Sequence, residues 1–380
     1  MTTLRDQFLI DPEITFLNHG SFGACPIPVF EEYQRWQRQL ERQPVKMLGR
    51  DIDGLLREAM RPLAAYLNAD AADCVFVPNA TTGVNIVARS LRLSAGDEVL
   101  TTDHEYGACN YTWEYVCAQT GARLVQQAIP LPIGTPGEFI ERVWAGVTER
   151  TRVLFLSHLT SPTGLVFPIE ELIKRARAAG ILTVIDGAHV PGQLPLDLTA
   201  LDADFYTGNF HKWLCAPKSS AFLYARKAHQ AGLIPNIISW GWRESEFSLR
   251  QERQGTRDPA SYLATPAALT FQQEHDWDAV RRDCHQLAVT AAQVLSEVSG
   301  CPPLTADGEW LGQMAAAELP LRPEQAAAVK TRLYDVHRVE IPVIVWQGRV
   351  LIRASFQGYN SAADLEVLGA ALAETLAALA

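Results

Sequence analysis

Lys212 and Asp186 are residues whose settings ask for a chemical explanation. Lys212 lies in TGNFHKWLCAP, Thr207 to Pro217, a charge inside an otherwise apolar stretch. Lysine heads normally sit in water, so the plain alternative is a surface turn with the Lys212 stem laid over Trp213. Asp186 closes the apolar run LTVID, where a carboxylate can equally be a helix cap or turn former. A lysine that sheds its proton in dry surroundings attacks aldehydes, and a carboxylate can keep a ring nitrogen protonated. Thr81 and Thr82, in NATTG, open a helical run whose free N–H groups would favour a phosphate, or else serve only as caps.

Such groups can cooperate only if the chain brings them to one place. From about Cys74 to Ala225, short β-branched runs alternate with longer helical ones. CVFVP, DEVLTT, RLVQQ, RVLFLSH, LTVID and SAFLYA read as buried strands. TTGVNIVARSL, ACNYTWEYVCAQTG and IEELIKRARAAG carry apolar residues at helical spacing, the last two closed by Gly121 and Gly180. Strand and helix in turn imply a mostly parallel sheet covered on both faces, the α/β class. Ligands in such sheets bind beyond the carboxyl ends of the strands. The residues just after the strands are then NATTG, LTSPTG, Asp186 with His189, and NFHK after DADFYTG. A phosphate cradle, a carboxylate and a lysine at neighbouring strand ends are the parts that hold pyridoxal 5′-phosphate: the lysine forms a Schiff base and the acid keeps the pyridine nitrogen protonated.

Around this block the pattern changes. PVFEEYQRWQRQLERQP and DGLLREAMRPLAAYLN read as two amphipathic helices before it. Beyond Pro259, long Ala/Gln/Glu-rich helices are interrupted by WLGQMAAAEL, EIPVIVW and RVLIRASF, which can form a small antiparallel sheet. A boundary therefore falls near Arg243 to Pro259.

Composition narrows the class of partner. The 380 residues are 48% hydrophobic and 20% charged, as in ordinary globular proteins, and long enough for two domains. A net charge of −10 without a Lys/Arg cluster argues against nucleic acid and anionic membrane surfaces. The start of the chain reads as no signal peptide, and no run approaches a membrane span. The seven cysteines include no CxxC pair, which suggests neither a disulfide frame nor a zinc site, and fits reduced thiols in a cytoplasm. No metal is expected.

FLNHGSFGACP, NATTGVNIVA, TTDHEYGA, SHLTSPTGLVFPI, VIDGAHVPG, DFYTGNFHKWL, GTRDP and RASFQGYN occur in this order over nearly the whole chain. With them the sequence resembles the class V aminotransferase family of fold-type I pyridoxal-phosphate enzymes, and within it the isopenicillin N epimerase-like branch. The resemblance implies a large cofactor-binding domain over 26–257 with a mostly parallel seven-stranded sheet between helices, a smaller α+β domain over 258–380, and an N-terminal segment, 1–25, over the active site. It implies Lys212 as the Schiff-base lysine, Asp186 as partner of the pyridine nitrogen, and His189 and Ser161 beside the ring oxygen. Tyr106 would stack on the cofactor, a geometry suited to a flat cation. Thr81, Thr82, Asn209 and His211 match phosphate contacts, and Thr256 matches one supplied by the second subunit of a homodimer. Arg353 matches the arginine that grips the substrate α-carboxylate, for which a planar fork is suited. Without the resemblance, Arg353 reads as a surface salt bridge. His19 and Asn18 fall in the segment placed over the substrate, where His19 is either a substrate contact or a satisfied loop histidine. Trp240 and Trp242 could wall the pocket or simply pack.

An amino-acid substrate is implied, with the freed Lys212 amine as base for its α-proton. Cysteine desulfurases of the family use a loop cysteine upstream of the carboxylate-binding arginine. The matching stretch here, DVHRVEIPVIVWQGRVLIRAS, has none. The expectation is therefore epimerisation or carbon–sulfur elimination, with transamination as the alternative. A non-catalytic pyridoxal-phosphate sensor is disfavoured by the intact Lys212 and Asp186 pair.

Overall fold

A computed structural model of the chain describes residues 4–306 and 308–379. Its strands are β1 (Thr15–Phe16), β2 (Cys74–Val77), β3 (Glu98–Thr102), β4 (Arg123–Gln127), β5 (Thr151–Ser157), β6 (Leu182–Asp186), β7 (Phe205–Asn209), β8 (Ala221–Ala225), β9 (Met314–Leu319), β10 (Val339–Glu340), β11 (Val343–Trp346) and β12 (Arg349–Ser355). Seven of them form the main sheet in the order β2-β8-β7-β6-β5-β3-β4. Every pairing is parallel except those of β8, which runs against both β7 and β2. The α/β architecture with a mostly parallel seven-stranded sheet is thus present. So is the smaller C-terminal antiparallel sheet, in the order β11-β12-β9.

The sheet is buried on both faces because its strands carry apolar residues at successive positions. Alternate side chains then serve opposite layers. Val75, Val77, Val99, Val153, Phe155, Val184, Phe205 and Leu223 pack on one side with Val84, Val87, Cys109 and Trp113 of the helices Ala80–Ser90 and Gly107–Thr120. Phe76, Leu100, Leu154, Leu156, Ile185, Tyr206 and Phe222 face the other layer, with Ile27–Arg42, Ile52–Tyr66 and Ile169–Ala178. Each fully buried Val, Leu or Phe contributes about 1.5–3 kcal/mol. The RLVQQ run departs from expectation: it is β4, only half buried, because it lies at the sheet edge with β3 as its one neighbour.

The helix endings follow the sequence. Gly121 ends its helix in the left-handed conformation at φ +76°, and Gly180 does the same one residue past the Ala179 cap at φ +70°. Gly83 answers a packing demand instead. A Cβ there would lie 2.2 Å from Thr207 Oγ1, so only glycine lets helix Ala80–Ser90 settle on β7.

Long-range pairing brings the N-terminal segment against the C-terminal region. β1 pairs in parallel with β10, and the Leu17 carbonyl accepts the Ser355 amide at 2.9 Å. Residues His19–Phe22 then form a short helical turn beside the Lys212 loop. No helix among the described residues is long and apolar enough to cross a membrane.

Candidate active site

Asp186 ends β6, Ser157 ends β5, Asn209 ends β7, and Asn79 follows β2 closely, so the sheet delivers these side chains to one edge. There they line a cavity of about 550 Å³ together with Thr81, Tyr106, Ser161, His189, His211 and Lys212. That volume suits a small cofactor and substrate.

The hydrogen-bond inventory around Lys212 fixes its protonation. Trp213 Nε1 lies 3.2 Å from His189 Nδ1, and an indole N–H can only donate. Nδ1 is therefore an acceptor. Burial, with help from Lys212, pushes the His189 pKa well below its ordinary value, so the ring is neutral and its proton sits on Nε2. Nε2 lies 3.1 Å from the Lys212 amine, which must accept and so be unprotonated. Burial first, then the Arg353 charge, pushes the Lys212 pKa down to about 7, while Asp186 acts in the opposite sense. The surface-turn reading of this stretch fails: Trp213 is fully buried and bonded to a histidine.

Asp186 accepts the Ala188 amide at 2.9 Å through Oδ1, and the Cys109 thiol lies 3.4 Å from Oδ2. Burial pushes its carboxyl pKa up, against the Ala188 amide and the Lys212 charge. At the start of helix Ala80–Ser90, Asn209 Oδ1 accepts the Ala80 amide at 2.8 Å and Asn79 Oδ1 accepts the Thr82 amide at 2.8 Å. The cap is thus Asn79, and the Thr82 hydroxyl is also turned to it at 3.0 Å, away from the cavity lining. Thr81 remains at the cavity. His211 lies 3.0 Å from the Ser220 carbonyl through Nδ1, which must carry the proton. Burial first pushes its pKa down to about 4. A phosphate beside it would favour the second proton, since an opposite charge stabilises the cation.

Arg353 is buried without a carboxylate partner, contrary to a surface salt bridge. Its Nη1 donates to the carbonyl of Ser161 and to the Ser161 hydroxyl, the latter at 3.2 Å, and its Nε has no partner. Burial pushes its pKa down to about 10. It stands directly behind Ser161, which lines the cavity.

Other expected contacts lie elsewhere. His19 is fully buried, with Nδ1 2.9 Å from the Tyr359 hydroxyl and Nε2 3.0 Å from the Lys212 carbonyl. Asn18 is bonded to Glu340 at 2.8 Å and accepts from Ser21. Neither is in the cavity lining, whereas their neighbours Ser21 and Phe22 are. Thr256 is exposed and lines a separate hollow with Trp240, which is 92% exposed.

Two contributors, Lys218 and Glu105, were not expected from the sequence. Lys218 lines the cavity in a solvated turn. Glu105, next to Tyr106, is buried and accepts the Ser157 amide at 2.7 Å, the Ser157 hydroxyl and the Thr102 hydroxyl. Burial, aided by the Asp186 charge, pushes its pKa up to about 7. Its place beside Tyr106 in TTDHEYGA was the available signal.

The class V aminotransferase model matches residues 28–368. The chain belongs to the class V aminotransferase family. This class V chain is 37% identical over 97% of its length to isopenicillin N epimerase of Amycolatopsis lactamdurans, covering 97% of that protein. It is 26% identical to an L-cysteine desulfhydrase of Arabidopsis thaliana, covering 94% of this chain and 87% of the relative. Among solved structures, a C-DES lysine-to-alanine mutant with glycine covalently linked to the PLP cofactor matches with a TM-score of 0.87 at 23% identity, over 98% of this chain and all of that one.

The class V chain is a pyridoxal-phosphate enzyme. The donor set fits that cofactor: an unprotonated amine, a buried carboxylate, and the helix start at Thr81 lie in one cavity.

Proposed function

We propose that the enzyme removes the α-proton of an amino acid with Lys212 as base, and that the outcome is epimerisation or loss of a β-sulfur group. The observation carrying this reading is the Lys212 amine, held unprotonated 3.1 Å from His189 in the cavity that also contains Asp186. When bound, pyridoxal phosphate supplies the aldehyde carbon and the electron sink for a developing carbanion. Asp186 would hold the ring nitrogen, His189 and Ser161 the ring oxygen side, and Tyr106 the ring face. Thr81, Asn209 and His211 would hold the phosphate. Arg353, reached through Ser161, would bind the α-carboxylate.

Epimerisation needs proton delivery to both faces of the carbanion, by a second carrier besides Lys212 or by Lys212 alone with a loosely held substrate. Of the two groups considered for that second role, His19 has both ring nitrogens committed, whereas Tyr106 is half exposed in the cavity lining. Elimination needs no cysteine nucleophile, and none lines this cavity among the described residues. Cys109 and Cys215 are buried, with thiol pKa values pushed well up by that burial. These features disfavour a persulfide carried on a cysteine of the enzyme itself. The relatives support both outcomes, one named for epimerisation and another for cysteine desulfhydration.

A homodimer is part of the proposal. Trp240 and Thr256 share an exposed hollow, and Ile237, Ile238 and Trp242 add nearby apolar surface in sequence. A surface of this kind is suited to a second subunit. Thr256 would then serve the partner's phosphate site.

The test is incubation with a panel of amino acids in deuterated water. Deuterium uptake with inversion identifies an epimerase, and release of sulfide, sulfenate or pyruvate identifies elimination. Accumulation of the pyridoxamine form would move the assignment to transamination. Full turnover by Lys212→Ala would overturn the role of the amine.

A further inference from the structure

Within the N-terminal turn, Ser21 and Phe22 line the cavity, whereas His19 touches the back of the Lys212 loop. The Lys212 carbonyl can only accept, so His19 Nε2, 3.0 Å away, must carry the ring proton. Burial first pushes the His19 pKa down to about 3, so the ring is neutral and Nδ1 is an acceptor. The Tyr359 hydroxyl, 2.9 Å from Nδ1, is therefore the donor. A directed chain runs from the Tyr359 hydroxyl through the imidazole to the peptide carbonyl of Lys212.

The ring is packed and hydrogen-bonded on several sides. It packs on Trp213 at 4.9 Å between centroids and on Tyr359 at 5.8 Å. Gln357 Nε2 lies 3.3 Å from His19 Nε2, and Cys215 Sγ lies 3.9 Å from it. Lys218, and Lys212 whenever it is protonated, oppose a charge on His19, and no acidic group shifts its titration. Gly23, at φ +71°, lets the turn close: a Cβ there would lie 2.0 Å from the His211 carbonyl oxygen. Leu17, just before the turn, is bonded to Ser355, two residues beyond Arg353.

We infer that His19 is a positioning residue: its Nε2–H, oriented by Tyr359, fixes the Lys212 main chain so that the amine stays in its dry position against His189. The inference rests on the reading of Lys212 as the reactive amine. His19 acts through Lys212 and does not touch substrate.

The experiment measures the pH dependence of acetic anhydride labelling at Lys212, by peptide mass spectrometry, on the full chain freed of cofactor. A looser Lys212 admits water, and its titration midpoint moves back toward the ordinary lysine value. His19→Ala is expected to raise the midpoint from about 7 by about one pH unit, a roughly fivefold smaller unprotonated fraction at pH 7. Tyr359→Phe keeps the ring packing but removes the donor that orients His19, and is expected to raise it in the same direction. His19→Gln, whose amide can replace the Nε2–H donor, is expected to restore at least half of the shift. The inference is overturned if Tyr359→Phe titrates like the parent, or if His19→Gln and His19→Ala shift equally, since the ring would then only fill space. Borohydride trapping of pyridoxal phosphate on the parent protein is scored separately. Its absence would count against the cofactor role of Lys212 and leave the labelling result standing.

Discussion

Arg353 places its Nη1 3.2 Å from the Ser161 hydroxyl and has no acidic partner, although it is 98% removed from solvent. A buried guanidinium held by neutral oxygens alone is costly to the fold. The proposed role accounts for that cost, since a carboxylate arriving with substrate would supply the missing partner. Arg353→Met is expected to raise KM for the amino acid about 10- to 100-fold, the loss of a charge-assisted hydrogen bond. The same change should stabilise the cofactor-free protein by on the order of 1–3 kcal/mol. Steady-state kinetics and thermal melting test the two halves. A lowered melting temperature with unchanged KM would refute both.

Trp213 sets the histidine that faces the amine. In Trp213→Phe, His189 Nδ1 loses its donor and the ring can carry its proton there, presenting a lone pair to Lys212. That favours the ammonium form, so the Lys212 titration midpoint should rise above about 7. Labelling at Lys212 as a function of pH measures it. A midpoint unchanged from the parent would mean that the indole only packs.

Glu105 gives a pH dependence of stability with a definite sign. Its folded pKa of about 7 lies above the ordinary carboxyl value of 4.5. Between these values the folded state holds a proton that the unfolded chain has released, so stability falls as pH rises from 4.5 to 7. Glu105→Gln removes this dependence. Its nitrogen can donate to the Thr102 hydroxyl while its oxygen still accepts from Ser157. The variant should therefore gain on the order of 1–3 kcal/mol over the parent at pH 8. Urea denaturation at pH 4.5 and 8 measures the difference, and equal slopes in both proteins would disprove it.

Gly23 combines a left-handed φ with contact against the Lys212 loop. Gly23→Ala is expected to destabilise the fold by at least about 1–2 kcal/mol. It should also slow the formation of the yellow pyridoxal-phosphate adduct, because the loop that must yield carries Lys212. A denaturation midpoint within error of the parent would contradict the packing described here.

Much of the frame was legible along the chain. Apolar strands alternating with capped helices announced a parallel sheet, because backbone periodicity and glycine conformations are local properties. Asp186, Asn209 and Ser161 were found because strand ends in such sheets converge on one edge. The half-exposed state of β4 was hidden, since edge or centre depends on strand order. The orientation of Thr82 was hidden too: Asn79 caps the helix and accepts both the Thr82 amide and its hydroxyl, a choice that only the backbone path makes.

The sequence by itself determined the family and the cofactor, and singled out Lys212 and Asp186 as the pair on which the proposed chemistry centres. The tertiary structure decided their electrical state. Whether Lys212 is an amine or an ammonium depends on Trp213 orienting His189 and on the burial of both. Whether His19 meets substrate or main chain depends on β1 pairing with β10, more than 300 residues away. Desolvation and hydrogen-bond direction arise only when distant segments exclude water together, so spacing along one chain cannot specify them.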